Sequence, residues 1–240
     1  MQVVGYRPAP DPALLLADGG PVERLELEPG AELAYGLGAR RCAGAIRNGN
    51  HIPCDRERAP KCSRHERVFD ESTLREREGE HAVYLAAFAP ATFKVGITRL
   101  DRLETRLREQ GADRGAHVFT VADGDIARDV EEDLGRDLAQ RVRVATKLDG
   151  FGRDVDAGAW NELLAEHEPI ETYDLDYGFA LDAAPVPETM AAGTVVGVQG
   201  RVLLLDRDDT VYAVDMRDLV GYELREGETT RDRQASLGSF

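Results

Sequence analysis

The sequence predicts an α+β protein: a mixed unit of strands and helices between β segments at the two ends, with a metal knuckle leading into it. Three observations carry this. Both ends are short apolar runs broken by Pro and Gly, the stretch from His81 to Pro169 changes from strand alternation to helical spacing, and the cysteines all fall between Cys42 and Cys62.

Residues 1–40 read as an N-terminal β segment. VVGYR, ALLLAD and VERLELEPGAELAYGL cluster or alternate apolar residues, and EPGAE has the composition of a hairpin turn. Residues 41–70 lose that periodicity and hold the cysteines. Residues 80–169 form the αβ domain, where two strands lead into a helix with Leu100, Leu103 and Leu107 on one face and Gly111 as its stop. A second helix, begun by Asp125 as N-cap, places Ile126, Val130, Leu134 and Leu138 on one side. A short third helix turns Trp160, Leu163 and Leu164 inward and ends at Pro169. Residues 170–225 return to strands, with Asp208-Asp209 as a hairpin turn, and this segment is a candidate to pair with residues 1–40. Residues 226–240 are polar and expected to be disordered.

Cys42, Cys54, Cys62 and His65 are a complete tetrahedral donor set for a structural Zn²⁺. The two-residue spacing of Cys62 and His65 suits a knuckle turn, and the Gly-, Asn- and Pro-rich loop before it brings the other thiols round. Four protein ligands leave no open position for a reactive water. His51 is the alternative to His65, and three unrelated thiols are the plainer reading.

Lys plus Arg is 30 against 45 Asp plus Glu, a formal charge of −15. The lysines are Lys61, Lys94 and Lys147. An acidic, lysine-poor surface is what a chain from a salt-loving archaeon is expected to have, although an acidic mesophilic protein has the same balance. Against this background Arg40, Arg41, Arg47, Arg56, Arg58, Lys61, Arg64 and Arg67 form a basic island, with Asp55, Glu57 and Glu66 as its acids. The island is either a contact for an anionic partner or a solvated loop. No apolar run is long enough to span a membrane and the start lacks a signal-peptide pattern, so a cytoplasmic location is expected.

AVY at Ala82–Tyr84, then FKVG at Phe93–Gly96, then ITRLDRLETR with Arg106, resembles the paired motifs and following helix of the GIY-YIG nuclease superfamily. Over nearly the whole chain, KVGITR, EQGADRG and GTVVGVQGRVLLL are similar to a prokaryotic family, domain of unknown function 2797. The nuclease resemblance covers residues 80–147 and implies catalytic roles. Tyr84 would position or deprotonate a water, Arg106 would steady the scissile phosphate, and Glu131, or Glu132, would bind Mg²⁺ or Mn²⁺. Lys94 stands where many members carry a second tyrosine, and the asparagine that closes the site has no counterpart, with Lys147 near that point.

Three functions follow from these residues. One is a metal-dependent endonuclease. Another is a non-catalytic module holding DNA or RNA through Arg41, Arg47, Lys61, Arg64 and Arg99 beside the helix charges. The last is an acidic zinc-stapled scaffold for a protein or small-molecule partner.

Overall fold

The computed structural model describes residues 1–66, 78–135, 138–139 and 141–227. It is a mixed α+β structure with large sheets and few helices. The N-terminal strands are β1 (Gln2–Arg7), β2 (Ala13–Ala17), β3 (Gly20–Pro21), β4 (Glu23–Glu26), β5 (Glu32–Arg40), β6 (Ala45–Arg47) and β7 (Asn50–Ile52). The αβ unit runs through β8 (His81–Phe88), β9 (Thr92–Arg99), α1 (Leu103–Gln110), β10 (Arg114–Val121), α2 (Gly124–Leu134), α3 (Val144–Gly150), α4 (Ala157–His167) and β11 (Glu171–Asp174). The chain closes with β12 (Val186–Pro187), β13 (Ala191–Gln199), β14 (Val202–Arg207), β15 (Thr210–Asp215), α5 (Met216–Leu219) and β16 (Tyr222–Glu226).

Both ends of the chain share one sheet, ordered β12-β15-β14-β13-β5-β16-β1-β2-β4. Its strands are apolar on both faces where they are covered twice. In β14, Leu203 and Leu205 enter the core with Leu14, Leu33 and Val214, while Val202 and Leu204 face Phe151 on the other side. The β14–β15 hairpin turns at Asp208 and Asp209, both with positive φ, as the Asp-Asp pair predicts. EPGAE is not a hairpin turn. β4 pairs with β2 at one end of the sheet, whereas β5 pairs with β13 and β16 in its middle, so the loop crosses between them.

The second sheet has the order β11-β10-β8-β9. On one face of central β8, Val83, Leu85 and Ala87 pack with Ala127 of α2 and Trp160 of α4. On the other, Ala82, Tyr84, Ala86 and Phe88 pack with Leu103 and Leu107 of α1. Strand alternation therefore decides which side chains meet which helix. β11 pairs with β10, so Glu171–Asp174 belongs to this sheet and not to the C-terminal β segment expected over residues 170–225. α1 ends on Gly111 in the left-handed conformation, as its sequence predicts. α2 is capped by Asp123 instead of Asp125. Asp123 is extended and its carboxylate accepts from the amides of Asp125 and Ile126. Ile126 is turned outward, 46 % exposed, and Ala127 is buried in its place. No helix among the described residues is long and apolar enough to cross a membrane. The expected disordered tail lies, from residue 228 onward, outside the described residues.

After α2 the chain passes along the edge strand β9, where Val95 N donates to Ala139 O (3.2 Å). It then enters α3, whose Lys147 lies over the Phe88 ring, on the Tyr84 face of β8. The two sheets meet at Gly111 and Gly200, both in the left-handed region. A Cβ on Gly200 would lie 2.7 Å from the Gly111 nitrogen, so each glycine lets the other backbone approach. Gln199 Nε2 joins the units by donating to Gly111 O (3.1 Å) and Asp113 Oδ1 (2.8 Å).

Candidate functional site

The ligand atoms of Cys42, Cys54, Cys62 and His65 all lie within 4.8 Å of one another. His65 Nδ1 is 3.3 Å from the Cys42 sulfur and 3.4 Å from that of Cys62. A tetrahedral zinc with Zn–S of about 2.3 Å and Zn–N of about 2.0 Å requires edges of roughly this length, so the donors fit the ion. The geometry is local in origin. Amides of His65 and Glu66 both donate to Cys62 O (2.8 and 2.9 Å), forming the turn that points Cys62 and His65 the same way. The Cys62 amide donates to the Cys42 sulfur (3.2 Å). Burial pushes the Cys42 thiol up. Burial acts the same way on Cys62, but donation from the His65 and Arg64 amides outweighs it and brings that thiol down to about 7, toward the thiolate a metal needs. None of the three cysteines is in a disulfide. His51, the alternative ligand, is buried elsewhere, its Nε2 against Ala43 O at 3.1 Å. Bound there, zinc would cross-link the end of β5 to the turn at Cys62.

A second cluster forms where β8, β9, α1, α2 and α3 converge. Register pairs Tyr84 with Gly96 and Ala86 with Lys94, so Lys94 and Tyr84 share a face. A Cβ on Gly96 would sit 2.5 Å from the Tyr84 hydroxyl, hence the glycine. Tyr84 is 1 % exposed, and its hydroxyl accepts from Gln110 Nε2 at the end of α1. Burial holds that phenol above its ordinary range, opposed by Arg106 and the Gln110 bond. Arg106 leans on Glu109 (3.2 Å), three residues along its own helix. Lys94 is brought down to about 8, first by burial, then by repulsion from Arg106, with Glu131 opposing. Glu131, on the helix across β9, has its carboxyl raised by burial and lowered by Lys94 and Arg128. Tyr84, Lys94, Arg106 and Glu131, assigned to one site by sequence, therefore do come together, with Tyr84 behind the cluster instead of at its mouth.

Sequence reasoning assigned no place in this cluster to Gln110 or Arg201, and none beyond a position near the missing asparagine to Lys147. Lys147 Nζ donates to Gln110 O and lies 4.6 Å from the Phe88 ring centre. It too is brought down to about 8, by burial and then by Lys94, Arg201 and Arg106. One signal was available: two of the three lysines in a lysine-poor chain end here. The residues assigned to nucleic-acid contact divide differently. Arg41 is tied to Glu223 (2.9 Å) and Arg99 to Asp101 through two bonds (3.1 and 3.0 Å), so both are engaged within the protein. Arg47, Lys61 and Arg64 are exposed around the knuckle. Arg58 pairs with Glu66 (3.1 Å), and Arg67 lies outside the described residues.

Fold and sites together define an α+β protein with a Cys₃His cluster that could hold zinc, and with two half-buried lysines and an exposed Arg106 gathered on a four-stranded sheet. Its sequence matches the family described as protein of unknown function, DUF2797, over residues 56–224, and the chain belongs to that family. The match takes in Cys62, His65 and the whole αβ unit. No curated protein and no solved structure matches the chain.

Proposed function

We propose that this protein binds nucleic acid through its phosphodiester backbone, with a GIY-YIG-like αβ unit acting as a phosphate cradle and not as a nuclease. The observation that carries the reading is the convergence of Lys94 and Lys147 in a chain of net charge −15, with Arg106, itself paired with Glu109, beside them. Lys94 makes neither a hydrogen bond nor an ion pair with any described residue, and Lys147 has only the Gln110 carbonyl as acceptor. Like charges held together and partly desolvated repel one another, and an anion between them removes that cost. A phosphate is the anion for which Arg and Lys donors are suited.

Support for the GIY-YIG-like frame comes from the strand–strand–helix order of β8, β9 and α1, with Tyr84 and Gly96 cross-paired. Cleavage is disfavoured by two features. The Tyr84 hydroxyl is buried and bonded to Gln110, out of reach of an attacking water. Glu131 lies within the field of the Lys94 ammonium, and that positive charge opposes a Mg²⁺ or Mn²⁺ ion at the same carboxylate.

Fluorescence anisotropy with single-stranded and duplex DNA and RNA, titrated against salt, tests this. Three backbone contacts give a log–log salt slope of about −2 for single strands. Lys94→Met with Lys147→Met should flatten that slope and weaken every sequence alike. Affinity indifferent to salt would overturn the reading. Strand scission in Mg²⁺ or Mn²⁺ that disappears in Glu131→Ala would restore the nuclease.

A further inference from the structure

Lys147 also lines a cavity of about 310 Å³ at the seam between the two sheets. Its aromatic wall is built from α3 and the chain after β11. Phe151 and Phe179 lie nearly parallel, 13° apart with ring centres at 6.3 Å, and Tyr177 adjoins Phe179 at 6.4 Å. The Tyr177 ring is fixed, since its hydroxyl donates to Ala112 O (2.8 Å) and the Arg108 guanidinium lies 6.0 Å from its centre. Arg153 stands in the same wall. The lining also holds Asp113, Asp154 and Asp176; Asp113, whose charge acts on Lys147, has both carboxylate oxygens taken by Ala89 N (2.8 Å) and Gln199 Nε2 (2.8 Å). The cavity thus combines aromatic faces with a cation shared with the phosphate cradle.

We propose that this cavity is a nucleobase pocket, taking one base of a single strand whose adjoining phosphate rests on Lys147, Lys94 and Arg106. The proposal rests on the backbone-binding function above and adds to it a preference for unpaired strands. Size agrees, since cavities that hold small organic groups begin at about 300 Å³. Chemistry agrees as well. Every base has a π-face, so Phe179 and Tyr177 accept any of the four, and a base stacked on an aromatic side chain contributes roughly tenfold or more in affinity. A purely apolar ligand has no use for Lys147 and Arg153, and a base inside a duplex cannot reach a recessed wall.

The test is anisotropy of the wild-type protein with a short oligothymidylate and with an abasic strand of equal length. The base-bearing strand is expected to bind about tenfold more tightly. Phe179→Leu should bring it down to the abasic level without changing abasic binding, and Phe179→Tyr should retain the difference. Equal affinity of the two wild-type strands, both weakened by Lys94→Met, overturns the pocket and leaves the backbone function standing. Binding of neither strand overturns both. Saturable uptake of free thymidine monophosphate, with no gain from strand attachment, overturns the strand assignment in favour of a free nucleotide. The wild-type comparison needs no variant to fold, and circular dichroism of Phe179→Leu checks that its effect is local.

Discussion

Replacing Lys94 by methionine should make the protein more stable while weakening its hold on nucleic acid. The lysine lies on an edge strand with its ammonium partly buried beside Arg106, and folding brings its pKa from 10.5 to about 8. That lowering corresponds to roughly 3 kcal/mol, the cost of keeping this ammonium charged in the folded state at pH 7. Relaxation and entering water lessen the recoverable part, so a gain of about 1–2 kcal/mol is expected from Lys94→Met, whose apolar stem fills the same space. The pH dependence has a definite sign. Below pH 8 the lysine is protonated both folded and unfolded, and the penalty is present in full. Between about pH 8 and 10.5 the folded protein gives up the proton and the unfolded chain keeps it, so stability contributed by this site rises with pH. Urea denaturation of zinc-loaded protein at pH 7, 8.5 and 10 measures it. The wild type should gain on the variant across that window, and their difference at pH 7 should favour methionine. A variant less stable than wild type at pH 7, or one that keeps the full wild-type rise, would refute the placement of Lys94 against Arg106.

The metal centre and the sheet contact behind the cluster can each be tested independently. Elemental analysis should find one zinc per chain, and removing it with a chelator, or Cys62→Ser, should lower the melting temperature and expose the thiols to a colorimetric reagent. Less than half a zinc per chain would refute the site. Gly96→Ala forces a methyl against the Tyr84 ring, with contacts of 2.5–2.6 Å, so a loss of about 1–3 kcal/mol in urea is expected; wild-type stability would mean that Tyr84 does not lie over Gly96.

The clustering of Cys42, Cys54, Cys62 and His65, the Gly111 helix stop and the Asp208-Asp209 turn were legible in the sequence, because each depends on the chemistry or backbone freedom of residues close together in the chain. The same holds for Trp160 as core, where an aromatic on a helix face has few places to go. Strand partners were not legible in this way. Alternating apolar residues satisfy many pairings equally, so nothing local tells β5 to leave β4 and pair with β13 and β16, or β11 to join β10. Ile126 shows the limit on a helix. A shift of the cap from Asp125 to Asp123 accompanies the turn of that side chain into solvent.

Composition and local motif by themselves determined an acidic α+β chain and a Cys₃His donor set, while the resemblance to a nuclease superfamily singled out Tyr84, Lys94, Arg106 and Glu131. Only the tertiary structure decided what that meeting means. Passage of the chain along β9 at Ala139 carries Lys147 round to the Tyr84 face, adding a cation from a helix that sequence spacing does not mark. Packing of α1 against β8 closes Gln110 over the phenol and takes it out of water. Charge density and exposure at a site arise from segments distant in the chain, and folding alone sets their separation.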